Sequence, residues 1–466
     1  MKSKKFFQWV RILLFTVALV GACVVGFTLS MRPTISETEG RELTKFPSFT
    51  WEAFLSGEYT SQISLWYADT FPFRDELLDM NGGLRGLYGV GKEDFGGYEG
   101  TVDTIGSGND FDWGAPPPSE TEPGTDSLQT DHSEATDSPD TEATSPETSP
   151  ETEAETGATS ESIDGYYIEG DTGWQLYYYK QDLVDRYCRA VVQTALDLDG
   201  IATVYDMVIP TNYCYTLPAA KREELGASDG LAVIEHIYAA INAYGPQAGL
   251  KTPVKILPLH EIMDDHIDEY IYFRTDHHWT GLGAYYASRY FLDEMGRSYP
   301  PLEDYETFTY DVFWGSLHTH TQSELLKKHP DRLVAYIPLN VSEVYTVSRD
   351  GTETINPLIH KEITTKNKYL AFCNGDHAYY EVHNETVGDG SSVLIIRESF
   401  GNAFIPMIAD SYEYVYGIDY RFWRGDLRAF VEEKGIDTVL FLNNLMATAD
   451  PYNVGCLEKM LKLPRS

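Results

Sequence analysis

The chain has 466 residues, 42% of them apolar and 13% aromatic, enough to fill a sizeable core. Its 72 acidic against 35 basic residues leave a formal net charge of −37, which repels phosphate and argues against nucleic acid or anionic lipid as partners. Its 5 cysteines include no CxxC pair, so their spacing offers no zinc site.

In chain order, Lys2, Lys4, Lys5 and Arg11 precede an uncharged, mostly apolar run from Ile12 to Met31. At about 1.5 Å per residue this run reaches roughly 30 Å, the thickness of a bilayer's hydrocarbon core. It is longer than the apolar core of a signal peptide, and Ser30-Met31-Arg32 is a poor cleavage site. The expectation is a basic cytoplasmic tail over 1–11 and one uncleaved transmembrane helix over 12–31. The rest of the chain then faces outwards from the cell membrane.

Residues 32–114 read as a collar that packs on the main domain. Trp51 to Leu55 and Tyr59 to Tyr67 have short helical spacing, Phe71-Pro-Phe-Arg-Asp75 breaks it, and Glu76 to Tyr88 resumes it. Over 115–162 the composition turns to Ser, Thr, Pro, Glu and Asp. Between Glu120 and Asp164 there are 14 acidic residues and no Lys or Arg. So little apolar surface cannot offset the entropy of ordering, and a disordered insertion is expected.

The main domain is expected over 163–466, with an α/β rhythm from Gly165. Gln181 to Leu198 reads as an amphipathic helix, Ile201 to Pro210 as a buried strand, Leu231 to Tyr244 as a helix and Val254 to Leu257 as a short strand. Tyr270 to Phe273 reads as another strand, followed by a helix from Gly281 to Met295. Residues 300–370 read as a β-rich insertion. The rhythm resumes with a strand over Ser392 to Ile396, a helix from Glu398 to Ala409 and a strand at Tyr414 to Tyr416. A helix from Trp423 to Lys434 and a strand over Thr438 to Leu442 follow. Alternating strands and helices imply a mainly parallel sheet with helices on both faces, which gathers its ligands at the carboxyl ends of the strands.

Three segments follow such strands: Pro210-Thr-Asn212-Tyr, Thr275-Asp276-His277-His278-Trp279-Thr and Arg397-Glu398-Ser399-Phe-Gly-Asn402. A serine hydroxyl becomes a nucleophile when a base takes its proton, and the base must be held in one tautomer by an acceptor. Ser399 stands at a strand-to-helix turn, where helix amides can face a developing oxyanion. In an extended segment Asp276 and His278 share a face and His277 points away. On that reading His278 is the base, Asp276 its orienter and His277 a neighbour. Against this, a serine after a strand is most often a helix cap, and a His pair beside an Asp is more often structural or metal-binding.

Thr275-Asp276-His277-His278-Trp279 resembles the signature of the bacterial DHHW protein family. That family is similar to the periplasmic alginate O-acetylation proteins, with their circularly permuted SGNH-hydrolase-like domain. Glu39 to Pro47, Phe71 to Asp75, Ser399-Phe-Gly-Asn402 with Phe404-Ile-Pro406, Asp419-Tyr-Arg421 and Asn443-Asn444 resemble the family's other landmarks in order. The resemblance implies an SGNH-hydrolase-like, Rossmann-like fold with an Asp276–His278–Ser399 triad. Asn402 is then an oxyanion or substrate donor, and Arg421, Asn212 and His277 are further polar groups at the cleft. One position departs, since Glu398 stands where the family usually carries Asp.

The function these readings point to is a serine-dependent O-acyltransferase or esterase acting on envelope polysaccharide or cell-wall glycan. It calls for no cofactor. Family analogy adds a multi-pass membrane acyltransferase as the partner that delivers the acyl group. Trp279 and Trp423 are candidates for stacking on sugars. Two alternatives stand beside it. One is a metal-dependent hydrolase built on His260, Asp264, Asp265, His266, Asp276, His277 and His278; the other is a non-catalytic SGNH-like scaffold in the envelope.

Overall fold

The computed structural model describes residues 160–463 continuously, together with scattered residues between Arg32 and Pro72. The anchor expected over 12–31 and the acidic tract up to residue 159 lie outside the described residues. Among those that are described, no helix is long and apolar enough to cross a membrane. In the collar, Trp51, Phe54, Tyr59, Ile63, Trp66 and Tyr67 are helical, and Lys45 forms an ion pair with Asp350 of the main domain.

The main domain opens with an antiparallel meander, β1 (Ser160–Ile163), β2 (Tyr166–Glu169) and β3 (Thr172–Gln175). The sequence reading placed Ser160 to Ser162 in the acidic tract, but these residues form strand. There follow α1 (Gln181–Asp197), β4 (Thr203–Ile209), α2 (Asn212–Thr216), α3 (Gly230–Gln247), β5 (Lys255–Ile256), α4 (Leu259–Asp265) and α5 (Gly281–Glu294). The next stretch holds β6 (Glu306–Phe313), α6 (Ser316–Thr321), β7 (Asp331–Ile337), β8 (Glu343–Val347) and β9 (Glu353–Pro357). The chain closes with β10 (Tyr379–His383), β11 (Ser392–Arg397), α7 (Gly401–Ile408), β12 (Tyr414–Asp419), α8 (Leu427–Lys434), β13 (Thr438–Asn444) and α9 (Pro451–Met460).

Eight strands make the central sheet, in the order β9-β8-β10-β12-β11-β13-β4-β5. From β12 to β5 neighbouring strands run parallel, whereas β9, β8 and β10 pair antiparallel. The sheet is therefore mixed: five of its eight strands form the parallel sheet expected, and the other three pair antiparallel. The difference arises in the stretch read as an insertion. Its β6–β7 hairpin stands apart, while β8 and β9 extend the main sheet through β10.

The parallel strands are buried on both faces, and their side chains alternate between two cores. From β11, Leu394 and Ile396 join one apolar cluster and Val393 and Ile395 the other; from β13, Val439 and Phe441 separate in the same way from Leu440 and Leu442. Helices α1, α3, α8 and α9 cover the first face through Val184, Ile237, Val431 and Leu457. Helices α4, α5 and α7 cover the second through Met263, Phe291 and Phe404. Since α7 follows β11 on one face and α8 follows β12 on the other, the chain parts at the carboxyl end of β11. That is the topological position where such sheets form a crevice.

The residues expected as a strand at Tyr270 to Phe273 do not join the sheet. Tyr272 bridges Trp279, the Phe273 N–H donates to the His278 carbonyl at 3.3 Å, and the Thr280 N–H donates to the Ile271 carbonyl at 2.8 Å. The backbone is thus satisfied within one short loop leading into α5. Cys188, Cys214, Cys373 and Cys456 are all unbridged.

Candidate active site

The loop from Arg274 to Trp279 is held from beneath by one buried carboxylate. Asp331, at the start of β7, accepts from the Thr275 N–H at 2.7 Å, the Thr275 hydroxyl at 2.6 Å, the Arg274 N–H at 3.1 Å and the Tyr270 hydroxyl. Asp276 is fixed in turn. Its Oδ1 accepts from the His278 N–H at 2.9 Å and its Oδ2 from the Ser316 N–H at 2.7 Å. Gly315 lies flush against it, and a Cβ there would fall 2.2 Å from the Asp276 Cβ.

Burial alone would raise the Asp276 carboxyl, but the neighbouring His278 and the bonds it accepts hold it well below the usual carboxylate range. An ionised Asp276 can only accept, so the 2.5 Å contact from Oδ1 to His278 Nδ1 places the imidazole proton on Nδ1. The other ring nitrogen, Nε2, is then an acceptor, and the Ser399 hydroxyl lies 2.8 Å from it. Tyr369 stacks flat on the same ring at 3.9 Å between centroids and 12° between planes, which restricts the imidazole to this orientation.

Ser399 sits in the turn between β11 and α7. Glu398 shapes that turn: its Oε2 accepts from the Phe400 N–H at 3.1 Å and its Oε1 from the Asn444 N–H at the end of β13 at 3.0 Å. The same Oε2 is 3.2 Å from the Ser399 hydroxyl, so that hydroxyl has two acceptors within reach. From the other side, the Trp279 indole N–H donates to the Phe400 carbonyl at 3.1 Å. Asp276 and His278 are buried and Ser399 is half-buried. Ser399 is therefore the more exposed of the three, and the two groups in line behind it are enclosed.

The four other residues expected at the cleft each have partners within the protein. His277 does not point away from His278. The loop bends rather than extends, and the two rings lie 3.9 Å apart between centroids, with His277 Nδ1 on the Ser316 hydroxyl. Burial, then the neighbouring His278, lowers the His277 pKa to about 3. Asn402 gives its amide to Asp376 at 2.8 Å, and its Oδ1 accepts from the Tyr380 hydroxyl at 3.3 Å. Arg421 is paired with Asp419 at 2.6 Å and Asp376 at 2.7 Å, beside the fully buried Arg397. The Asn212 amide donates to the Gly173 carbonyl at 3.0 Å and ties β3 to α2. Trp279 is wholly buried, and Trp423 packs against Phe430.

Four residues that sequence reasoning did not single out organise the site: Asp331, Tyr369, Gly315 and Asp376. None carries a local signal. The backbone after Phe372 does, since Cys373, Asn374 and Gly375 all have positive φ and turn Asp376 towards the arginines. Asp376 is held well below the carboxylate range: burial opposes this, but Arg421 and Arg397 outweigh it.

Among the described residues, the one group whose ligand atoms could share a metal is Asp276, His277 and His278, all within 4.8 Å of one another. The hydrogen bonds above already engage both Asp276 oxygens, both His278 ring nitrogens and His277 Nδ1. The rest of the His/Asp-rich segment does not converge there. His260 pairs with Glu235 at 2.7 Å and His266 with Glu269 at 2.8 Å.

The DHHW protein family matches this chain over residues 39–418. Among solved structures, a DHHW family protein from Eubacterium siraeum shares 24% identity over 66% of this chain and 99% of that one, with a TM-score of 0.58. Bacillus cereus PatB1 shares 18% identity over 63% and 98%, with a TM-score of 0.50. The O-acetyltransferase domain of Pseudomonas putida AlgJ shares 13% over 63% and 96%, with a TM-score of 0.32. At these identities the likeness to the first two is one of fold. No curated protein matches the chain.

Proposed function

The chain belongs to the DHHW protein family, and from that premise we propose that it is an extracytoplasmic serine-dependent O-acyltransferase or esterase acting on envelope polysaccharide. The observation that carries this reading is the row of contacts from Ser399 Oγ through His278 to Asp276, at 2.8 and 2.5 Å. Ser399 Oγ attacks an acyl carbonyl, most simply acetyl, and its proton passes to His278 Nε2. The resulting imidazolium is stabilised by Asp276. Collapse of the tetrahedral intermediate releases the leaving group, which takes the proton from Nε2, and leaves an ester on Ser399. His278 then deprotonates a sugar hydroxyl, or water, which attacks that ester and frees Ser399.

The amides around the turn narrow the choice of oxyanion donor. The Phe400 N–H is engaged by Glu398 Oε2, the Gly401 N–H by the Glu398 carbonyl at 3.0 Å and the Asn402 N–H by the Ser399 carbonyl at 3.1 Å. We assign the oxyanion to the Ser399 N–H. Asn402 acts at one remove, by positioning Asp376. The finer fold assignment, a permuted SGNH-hydrolase-like domain, and an outward orientation on an anchor at 12–31 belong to the same proposal. So does delivery of the acyl group by a multi-pass membrane acyltransferase.

One observation favours a second reading, a non-catalytic SGNH-like scaffold: Glu398 Oε2 competes with His278 for the single proton of Ser399. Treatment with a serine-reactive fluorophosphonate separates the two. Labelling at Ser399 that is lost in His278→Ala supports catalysis, and an unlabelled Ser399 supports the scaffold.

A further inference from the structure

Helix α5 begins directly after the His278 loop and carries Tyr285, which is buried, and Tyr286 and Arg289, which are half-buried. With Tyr299, Leu302 and Glu303 from the segment that follows, these side chains line a recess of about 280 Å³. At 1.5 Å per residue, Tyr285 and Arg289 stand about 6 and 12 Å along the helix axis from Gly281. None of the groups around Ser399 lines this recess.

The tyrosines are held rather than loosely exposed. Tyr286 has His266 stacked on one face at 3.5 Å between centroids and 7° between planes, and its hydroxyl donates to Glu269 at 2.8 Å. Tyr299 donates to Asp293 at 3.0 Å and accepts from Arg289 Nε at 3.2 Å. Tyr285 packs edge-on against Tyr286 and Tyr305, at 5.8 and 6.2 Å. Rings fixed in this way lose little entropy when a ligand settles on them. The histidine and carboxylate that back Tyr286 come from the His/Asp-rich segment for which metal binding gave no account.

We propose that this recess is a second glycan subsite, which holds one neutral, β-linked, gluco-configured sugar of the polysaccharide chain whose hydroxyl is acylated at Ser399. The proposal rests on the polysaccharide reading above and adds a holding point to it. Equatorial hydroxyls leave such a sugar with flat C–H faces that lie on a tyrosine ring. The remaining guanidinium donors of Arg289 and the Glu303 carboxylate serve its hydroxyls from the rim. Glu303 in the wall and Asp293 behind Arg289 offset the guanidinium charge, so a carboxylated or phosphorylated sugar gains no net attraction.

The test is calorimetric titration of chitotetraose and of cellotetraose into the purified full chain carrying Ser399→Ala, which removes turnover from the readout. At least one of them is expected to bind. Adding Tyr286→Ala then weakens binding by about tenfold, whereas Tyr286→Phe, which keeps the ring, holds it within about twofold. The Phe variant also separates loss of the subsite from loss of the fold. Absence of binding by both oligosaccharides, or equal affinity in the Ala variant, overturns the proposal. Tyrosine-dependent binding alongside a wild-type chain with no ester turnover supports the subsite and counts against the catalytic reading alone.

Discussion

The Trp279 indole N–H donates to the Phe400 carbonyl at 3.1 Å, joining the residue after His278 to the residue after Ser399. His278 and Ser399 lie on segments far apart in the chain, and this bond together with the Trp279–Phe400 ring contact at 5.6 Å ties those segments together. Trp279→Phe keeps an aromatic core and removes the donor. The loss in stability should be about 2–4 kcal/mol, because the buried Phe400 carbonyl is left unpaired and part of the indole's volume becomes a cavity. Activity should suffer more, with kcat for acetyl-ester turnover down about tenfold and KM little changed, because misplaced reacting groups cost rate rather than binding. Unaltered kcat would show that the indole only fills space.

Gly315 gives the second prediction. Any side chain there meets Asp276, whose Cβ and Oδ2 lie 2.2 and 2.5 Å from the ideal Cβ position. Gly315→Ala should displace the carboxylate from His278 Nδ1 and leave the tautomer of the imidazole unfixed. Acetyl-ester kcat should fall by about a hundredfold or more, while the far-ultraviolet circular dichroism spectrum stays that of the parent. Parental kcat in a folded Ala variant would mean that Asp276 does not orient the base.

The third prediction concerns pH and stability away from the site. Asp206, in β4, is wholly buried, with one oxygen on the Tyr187 hydroxyl at 2.6 Å and the other without a partner. Burial, opposed by the Tyr187 bond, raises its pKa to about 7. An unfolded chain releases this proton near pH ~4, so between there and pH 7 the folded chain binds more protons than the unfolded one. Stability attributable to this group is full below that window, declines as pH rises through it and is lost above 7. Asp206→Asn mimics the protonated form. It should raise Tm over the parent at pH 8, raise it by less at pH 5 and leave it nearly unchanged near pH ~3.5; equal differences at pH 8 and pH ~3.5 would exclude the effect.

Much of the sheet was legible because strands buried on two faces read as unbroken apolar runs, as at Ser392 to Ile396. Helices with one apolar face, such as Gln181 to Asp197, repeat that face every three to four residues. Tyr270 to Phe273 has the same aromatic and β-branched character, yet its backbone partners lie in its own loop, and composition does not register that. His277 was misdirected for a related reason, since alternation of side chains holds only where the chain is extended. Asn402 and Arg421 looked free for substrate because their partners, Asp376 and Asp419, are assembled by the fold. Ser399, His278 and Asp276 were the legible part of the site. Their support by Asp331, Tyr369 and Gly315 came through contacts spanning tens of residues.

Nucleophilic attack by Ser399 leaves a covalent mark that can be read directly. The full chain is incubated with 4-nitrophenyl acetate, quenched in acid, digested and mapped by mass spectrometry. One acetyl group is expected on Ser399, absent from His278→Ala and retained at lower occupancy in Trp279→Phe. Undiminished ester turnover in Ser399→Ala, or acetyl groups on other residues with Ser399 unmodified, would contradict nucleophilic attack by Ser399.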